Sequence, residues 1–196
     1  MARSKAVDLT VSPVTVERLG DVADLFCTNG TTRGCWCMYF IVGRSAFSAG
    51  YGRGNRASFE ALAQESEQPM GLLAYRDGRP VGWCATGPRS RYERTVGPRT
   101  RILAGRDPAE DHTVWLVPCF FVRVGERGRG ITSALLTEAV ELARSHGAPA
   151  IEGFPRAAGL APSPDDYLGR EEWFAACDFV PIAHPTPKRV VMRREL

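Results

Sequence analysis

The sequence has few lysines, little net charge and no long apolar run. Only Lys5 and Lys188 are lysines among the 25 basic residues, and 22 acidic residues leave a net charge of +3. That balance is too weak to predict a nucleic-acid-binding protein. The longest apolar stretch, at 113–122, is strand-sized and well short of the ~18 residues of a membrane span. Because the first residues also lack an apolar secretion core, we expect a cytoplasmic protein without membrane association.

The composition favours one globular domain over residues 1–196. Hydrophobic residues make up 44% of the 196 residues and charged residues 24%, which is enough apolar material for one core. The chain contains no internal repeat, low-complexity tract or linker. These features exclude a disordered chain, a fibre and a small disulfide scaffold.

The six cysteines indicate neither disulfides nor a metal. In a cytoplasmic chain free thiols are the expected state. Cys35 and Cys37 are separated by one residue, with no histidine nearby, whereas zinc sites have about two to four residues between paired cysteines. We therefore expect no metal site.

The apolar pattern predicts alternating strands and helices. Asp77-Gly78 between two apolar runs predicts a tight hairpin, and Asp21 and Asn55 are typical helix caps. Residues 28–53 are rich in glycine, cysteine and aromatic residues, which indicates a long loop or a broken helix. Predicted strands are 7–14, 71–76, 79–86, 113–122, 150–154, 179–182 and 189–193, and predicted helices are 22–27, 56–64, 131–146 and 170–177. A hairpin combined with a crossover helix implies an α+β or mixed α/β fold.

A glycine-rich loop between the central strand and the longest helix carries the chemistry. The strand ends at Val122, Gly125, Gly128 and Gly130 follow, and the helix begins near Ile131. Backbone N–H groups in such a loop, at the positive end of a helix dipole, form a site for a phosphate or pyrophosphate.

Two common phosphate loops do not match. Ile131 stands where the P-loop requires lysine, and Ser133 stands where a dinucleotide fingerprint requires its third glycine. A nucleotide-binding protein remains an alternative.

The loop and the segment near the end of the chain resemble the GNAT superfamily of N-acetyltransferases. Arg127-Gly-Arg-Gly130-Ile-Thr132 matches the first two fixed positions of that family's Arg/Gln-x-x-Gly-x-Gly/Ala loop and departs at Thr132. Val122 stands five residues before Arg127, as in the family, and Trp173-Phe174-Ala-Ala-Cys-Asp178-Phe179 takes the place of its aromatic-Tyr-x-x-x-Gly-Phe segment. The resemblance implies a central mixed, mostly antiparallel sheet flanked by helices.

The resemblance also implies that acetyl-CoA is the co-substrate. Backbone groups of Phe120 and Val122 are then expected to pair with the pantetheine amides, and amides of the loop to hold the pyrophosphate. The implied cofactor-binding residues are Phe120, Phe121, Val122, Arg127, Gly128, Arg129, Gly130, Ile131, Thr132 and Ser133. In such enzymes an amine attacks the thioester directly in a ternary complex.

The usual proton-handling residues of the family are missing. Leu116 stands where histone-acetylating members have the base, and Phe174 stands where the family has a tyrosine. A carboxylate in the apolar strand 150–154 is a candidate base, since desolvation raises its pKa. The substitutes considered are Glu152 as base, Tyr167 as the missing phenol, and Asp111 and His112 before the central strand.

The aromatic stretch after the first helix indicates a small acceptor. Loops at this place usually wall the acceptor pocket, so Trp36 and Tyr39 are the predicted substrate-binding residues, for a partly apolar primary amine. A protein lysine or N-terminus is the alternative acceptor, and a CoA-binding sensor without turnover is the alternative function. The protein is expected to be a monomer or a homodimer.

Overall fold

The computed structural model describes residues 9–98, 100–103 and 105–196, with Asp165 described by its backbone alone. In these residues the strands are β1 (Leu9–Pro13), β2 (Gly71–Arg76), β3 (Arg79–Pro88), β4 (Trp115–Val122), β5 (Ala150–Gly153), β6 (Val180–Thr186) and β7 (Arg189–Glu195). The α-helices are α1 (Leu19–Phe26), α2 (Gly30–Cys35), α3 (Arg44–Ala49), α4 (Arg53–Glu65), α5 (Glu93–Val96), α6 (Ile131–Ser145) and α7 (Glu171–Ala175). Positions 7 and 8 of the first predicted strand lie outside the described residues.

The strands form one sheet in the order β1-β2-β3-β4-β5-β7-β6. Only β4 and β5 pair in parallel, and α6 makes the crossover between them, while the other neighbours are antiparallel. The predicted hairpin is confirmed, since Asp77 and Gly78 join β2 to β3 with φ of 50° and 75°. The predicted fold class, a mixed and mostly antiparallel sheet flanked by helices, is confirmed.

Each face of the sheet carries its own apolar layer. Helix α6 packs on one face through residues three and four apart, including Ile131, Leu135 and Ala139. A Cβ on Gly82 of β3 would lie 2.6 Å from Ile131 Cγ2, so glycine allows this close approach. The opposite face is covered by α1, by side chains of α4 and by side chains of the segment that precedes α4. Among the described residues no helix has the length and apolarity that crossing a membrane requires.

The two predicted helix caps are wrong. Asn55 lies inside α4 and is buried, and its amide donates to the carbonyl of Gly34 at 3.1 Å. Asp21 lies in the first turn of α1 and accepts from the Tyr75 hydroxyl at 2.7 Å. Both polar side chains satisfy distant groups that local sequence does not reveal. The segment 28–53 is the broken helix that was one of the two predicted outcomes, as it contains α2 and α3.

Strand β4 changes its surroundings halfway along. Its pairing with β5 stops at Val117, opposite Gly153. On the β3 side, Ala85 faces Cys119 and Gly87 faces Leu116, so two residues of β4 oppose one of β3 in a bulge. Pro118, which has no N–H to donate, falls in this bulge. Beyond Pro118, β4 has β3 on one side and an open edge on the other.

Candidate active site

The open edge of β4 presents backbone donors. Arg123 donates its N–H to the carbonyl of Val81 on the β3 side at 3.0 Å. Because backbone groups alternate along a strand, the N–H groups of Phe120 and Val122 point to the opposite, open edge. The Val122 carbonyl also faces this edge, where it accepts from Arg127 Nε at 3.2 Å. An extended molecule with amide groups can therefore add to β4 like another strand.

The glycine loop leads directly into the N-terminus of α6. Gly128 and Gly130 have φ of 73° and 77°, a conformation that favours glycine, whereas Gly125 lies outside this region. Gly130 is the N-cap of α6 and supplies no side-chain acceptor to the first turn. The N–H groups of Ile131 to Ser133 are therefore placed to bind an anion.

One cleft of about 1150 Å³ joins this loop, the open edge and a group of aromatic side chains. Nearly all predicted site residues line it. They are Phe120, Phe121, Val122, Arg127, Gly128, Gly130, Ile131, Thr132 and Ser133, together with Tyr39 and Tyr167. The structure thus brings these residues together, and their assignment to acetyl-CoA or to the acceptor stays a prediction.

Arg129 is the one predicted residue of the glycine loop that does not itself line the cleft. Its guanidinium lies 3.5 Å from the carboxylate of Glu126, which also pairs with Arg76 at 3.3 Å, and its side chain is 54% exposed. Because Glu126 does line the cleft, the assignment of Arg129 to acetyl-CoA stays a prediction.

The structure contradicts the prediction for Trp36. Its indole is 2% exposed and packs edge-on against Phe26 and tilted against Phe59, with ring centroids 5.4 and 6.0 Å away. Helix α2 ends at Trp36, and the left-handed backbone of Trp36 and Cys37 (φ 48° and 53°) turns the indole into the core. The neighbouring cysteines, rather than the tryptophan, reach the cleft.

Three thiols line the cleft where β4 leaves β5. They belong to Cys35, Cys37 and Cys119. The Trp83 indole N–H donates to Cys37 Sγ at 3.0 Å. Burial raises the pKa of Cys35 to about 12, and the hydrogen bond with Cys119 together with burial raises the pKa of Cys37. Cys35 and Cys37 are therefore neutral and poorly nucleophilic at physiological pH.

The structure also contradicts the prediction for Glu152. The side chain is 2% exposed, and its two carboxylate oxygens each lie 3.0 Å from a guanidinium, one of Arg89 and one of Arg193. Glu152 lies level with Leu116, in the half of β4 that β5 covers, and it does not line the cleft. The two ion pairs compensate for the removal of the Glu152 carboxylate from water, and Glu152 is part of the core.

Asp111 and His112, the other two candidates for the missing proton-handling residues, lie in the same region as Glu152. Asp111 pairs with Arg89 at 3.2 Å and with Arg106 at 2.9 Å, and His112 is exposed on the surface. Neither lines the cleft.

Tyr167 does reach the cleft. It lies in the 3-10 helix Pro164–Leu168, with its ring 6.4 Å from that of Phe40. Asp166 beside it forms ion pairs with Arg156 and Arg170. Phe174 is fully buried against Phe120, with ring centroids 6.1 Å apart, so it belongs to the core.

Sequence reasoning missed two further sets of cleft residues. Phe47 and Tyr51 are spaced i, i+4, and this spacing of two aromatic residues was a signal for one shared face. The other set, Pro162, Ser163, Pro164 and Asp166, also lines the cleft, and nothing in this irregular sequence indicates that it folds back there.

Residues 37–158 match the acetyltransferase (GNAT) family, so the chain belongs to this family. Its fold is similar to that of AAC(6')-Ib in complex with ribostamycin and coenzyme A, at 14% identity and a TM-score of 0.58 over 96% of this chain and 93% of the other. It is also similar to a ribosomal-protein-alanine N-acetyltransferase from Brucella melitensis (16%, TM-score 0.58, 95% and 99%). A third similar structure is the PaiA N-acetyltransferase from Thermoplasma acidophilum in complex with coenzyme A (10%, TM-score 0.51, 96% and 99%). No curated protein matches the chain in sequence.

Proposed function

We propose that this protein transfers the acetyl group of acetyl-CoA to a primary amine of a small molecule, by direct attack in a ternary complex. The observation that carries the proposal is the single cleft, which connects an anion-binding loop and an open strand edge with an aromatic-lined end. Its volume of about 1150 Å³ exceeds the ~300–1,000 Å³ of pockets for one drug-sized ligand. Two substrates can therefore be bound side by side.

The chain offers matching groups for the diphosphate and for the pantetheine arm of coenzyme A. The open N–H groups of Ile131 to Ser133, at the start of α6, suit the diphosphate. The edge groups of Phe120 and Val122 suit the pantetheine amides. Bound acetyl-CoA supplies an activated acetyl thioester. Of the two outward N–H groups, that of Phe120 lies nearer the bulge and is assigned to the thioester carbonyl.

Tyr167 is the group proposed to give a proton to the departing thiolate. It lines the cleft, and its ring lies beside that of Phe40, which is buried at the aromatic end. Among the side chains that the structure describes, the carboxylates that line the cleft are those of Glu126 and Asp166, and each is paired with two arginines. We therefore assign the ammonium proton to water rather than to a carboxylate base.

The aromatic lining of this end of the cleft supports a small-molecule acceptor over a protein one. The similar AAC(6')-Ib structure holds ribostamycin, a small molecule, whereas another similar structure is a ribosomal-protein-alanine acetyltransferase. A CoA-binding sensor without turnover is the second candidate, favoured by Leu116 and Phe174 in place of the usual proton-handling residues.

The test combines binding and turnover. Acetyl-CoA and CoA are expected to raise the melting temperature by several degrees, since a ligand at about a hundred times its Kd adds ~2.7 kcal/mol. ATP and NAD serve as controls. Release of free CoA thiol with an amine present then establishes transfer. Stabilisation by ATP or NAD instead of CoA would contradict the proposal, and CoA binding without any amine-dependent thiol release would favour the sensor.

A further inference from the structure

Beyond the acetyl-CoA end, the cleft continues along a row of aromatic rings. Tyr51 contacts Phe47 edge-on, Phe47 contacts Tyr39, and Tyr39 contacts Phe40, with centroid separations of 5.9, 5.4 and 4.9 Å. We call these four residues the aromatic row. Tyr39 is 37% and Tyr51 56% exposed, so part of the row is accessible to solvent. All four rings line the cleft.

The inner end of the row meets the reacting end of the strand edge. Cys37 contacts Cys119 of β4, one residue from the Phe120 N–H that we assign to the thioester carbonyl. Tyr39 follows Cys37 by two residues. A molecule with its nitrogen near Cys119 therefore has its body against the aromatic row.

The charges around the row disfavour a polycation. The guanidinium of Arg94 lies 3.9 Å from the centre of the Tyr39 ring, which places a positive charge beside the row. The carboxylates of Glu126 and Asp166, which line the cleft among the described side chains, already pair with arginines. The neutral, poorly hydrated thiols of Cys35 and Cys37 add no negative charge.

From this arrangement we infer that the acceptor is a primary monoamine with an aromatic body, bound with its ring against Tyr39, Phe47 and Tyr51. The inference rests on the proposed acetyl transfer and narrows its acceptor. In the reaction the ammonium first loses one proton to water, after which the amine nitrogen forms a bond to the acetyl carbon and the carbon–sulfur bond of the thioester breaks. The CoA thiolate gains a proton from Tyr167, and the second proton that the nitrogen loses returns through water to Tyr167. Ring-to-ring contacts provide the selection, since such pairs are favourable beyond the area that they bury.

The test is a matched acceptor series assayed by thiol release. 2-Phenylethylamine has the ring and one charge, hexylamine has one charge and no ring, and spermidine has several charges and no ring. A lysine-containing peptide represents protein acceptors. We expect kcat/KM for 2-phenylethylamine to exceed that of each other acceptor by about tenfold or more.

Variants then show whether the row is responsible. Tyr51→Ala is expected to raise KM for 2-phenylethylamine about three- to tenfold, while KM for hexylamine and for acetyl-CoA stays unchanged. Phe47→Leu, which keeps apolar volume but removes the ring, is expected to do the same. Ile182→Ala is the matched control, because Ile182 is 53% exposed on β6, outside the cleft.

Each outcome decides the inference. Preference for spermidine or the peptide, or equal rates with hexylamine, would overturn it and leave acetyl transfer intact. Binding of acetyl-CoA without transfer to any amine would overturn both this inference and the proposed transfer. Failure of acetyl-CoA to bind would refute the assignment of the loop as well.

Discussion

The two halves of β4 differ in what surrounds them and in what they contribute. The half from Trp115 to Val117 is buried and paired with β5, and its first two residues also pair with β3. The half from Cys119 to Val122 is paired on the β3 side alone and opens into the cleft. One strand is therefore part of the core at its start and part of the candidate site at its end.

We call Trp115 to Val117 the closed half and Cys119 to Val122 the open half. Ionised side chains lie beside the closed half, whereas the open half presents backbone groups. Arg89, which is fully buried, pairs with Glu152 at 3.0 Å and with Asp111 at 3.2 Å, and its Nη2 donates to the Asp107 carbonyl at 2.8 Å. The open half offers the N–H groups of Phe120 and Val122. A buried carboxylate in this fold is thus not evidence of catalysis, because ion pairing explains it here.

The largest expected effect concerns the closed half. Glu152→Gln leaves the buried Arg89 without a main counter-charge, which costs about 3 kcal/mol of unfolding free energy. At ~2–4 °C per kcal/mol for a chain of this size, the melting temperature should fall by about 10 °C. We expect KM for acetyl-CoA and kcat of the folded protein to change less than about twofold, since the cleft is untouched.

The control for this variant is Glu195→Gln. Glu195 also pairs with Arg193, at 2.6 Å, but its side chain is 73% exposed, so the expected loss is below about 1 kcal/mol. A hundredfold fall in kcat at an unchanged melting temperature would restore Glu152 as the base.

Sequence alone predicts the parts of this molecule that depend on local interactions. The Asp77-Gly78 hairpin, α6 and the glycine loop follow from short patterns, and all three are present. The side-chain directions do not follow from such patterns. Trp36 enters the core because two consecutive residues adopt positive φ, and Glu152 is neutralised by Arg89, 63 residues away in the chain.

The loop side of the cleft was predictable from the sequence, whereas most of its aromatic side was not. Ten of the cleft-lining residues come from one continuous stretch, 120–133, that a loop motif marks. Tyr167 and the aromatic row come from three separate segments, and only the folded chain shows that they share one cleft. Tyr39 and Tyr167 were nevertheless predicted from the sequence, and both line the cleft.

A second effect tests the open half through Tyr167. Tyr167→Phe removes the proposed proton donor and keeps the ring, so kcat should fall about a hundredfold. KM for acetyl-CoA and the melting temperature should stay unchanged. His112→Ala, an exposed change near the closed half, is the control and should leave kcat unaltered. An unchanged kcat in Tyr167→Phe would remove the phenol from the mechanism.

A third, smaller effect tests the start of α6. Ser133→Asp places a negative charge in the first helical turn, where it competes with a bound diphosphate, so Kd for CoA should rise about thirtyfold. The same charge favours the helix dipole, so the melting temperature without ligand should not fall. Gly130 is unsuitable for this test, because its φ of 77° strains any other residue.

Thr137→Asp provides the matched control one turn further along the same exposed face of α6. It adds the same charge about 6 Å further along the helix, and we expect a much smaller rise in Kd. Equal effects of the two variants would show that CoA responds to net charge rather than to the N–H groups of the first turn.

The smallest expected effect separates two arginines of the glycine loop. Arg127 reaches the open edge and donates to the Val122 carbonyl at 3.2 Å, whereas Arg129 pairs with Glu126. Arg127→Ala should raise KM for acetyl-CoA about three- to tenfold, in line with one charge-assisted hydrogen bond. Arg129→Ala should change it less than about twofold, because an exposed ion pair contributes little. Both variants remove one positive charge. Equal effects that each decline with added salt would therefore mean that the loop attracts CoA through its overall charge. The direction of Arg127 toward β4 would then have no part in binding.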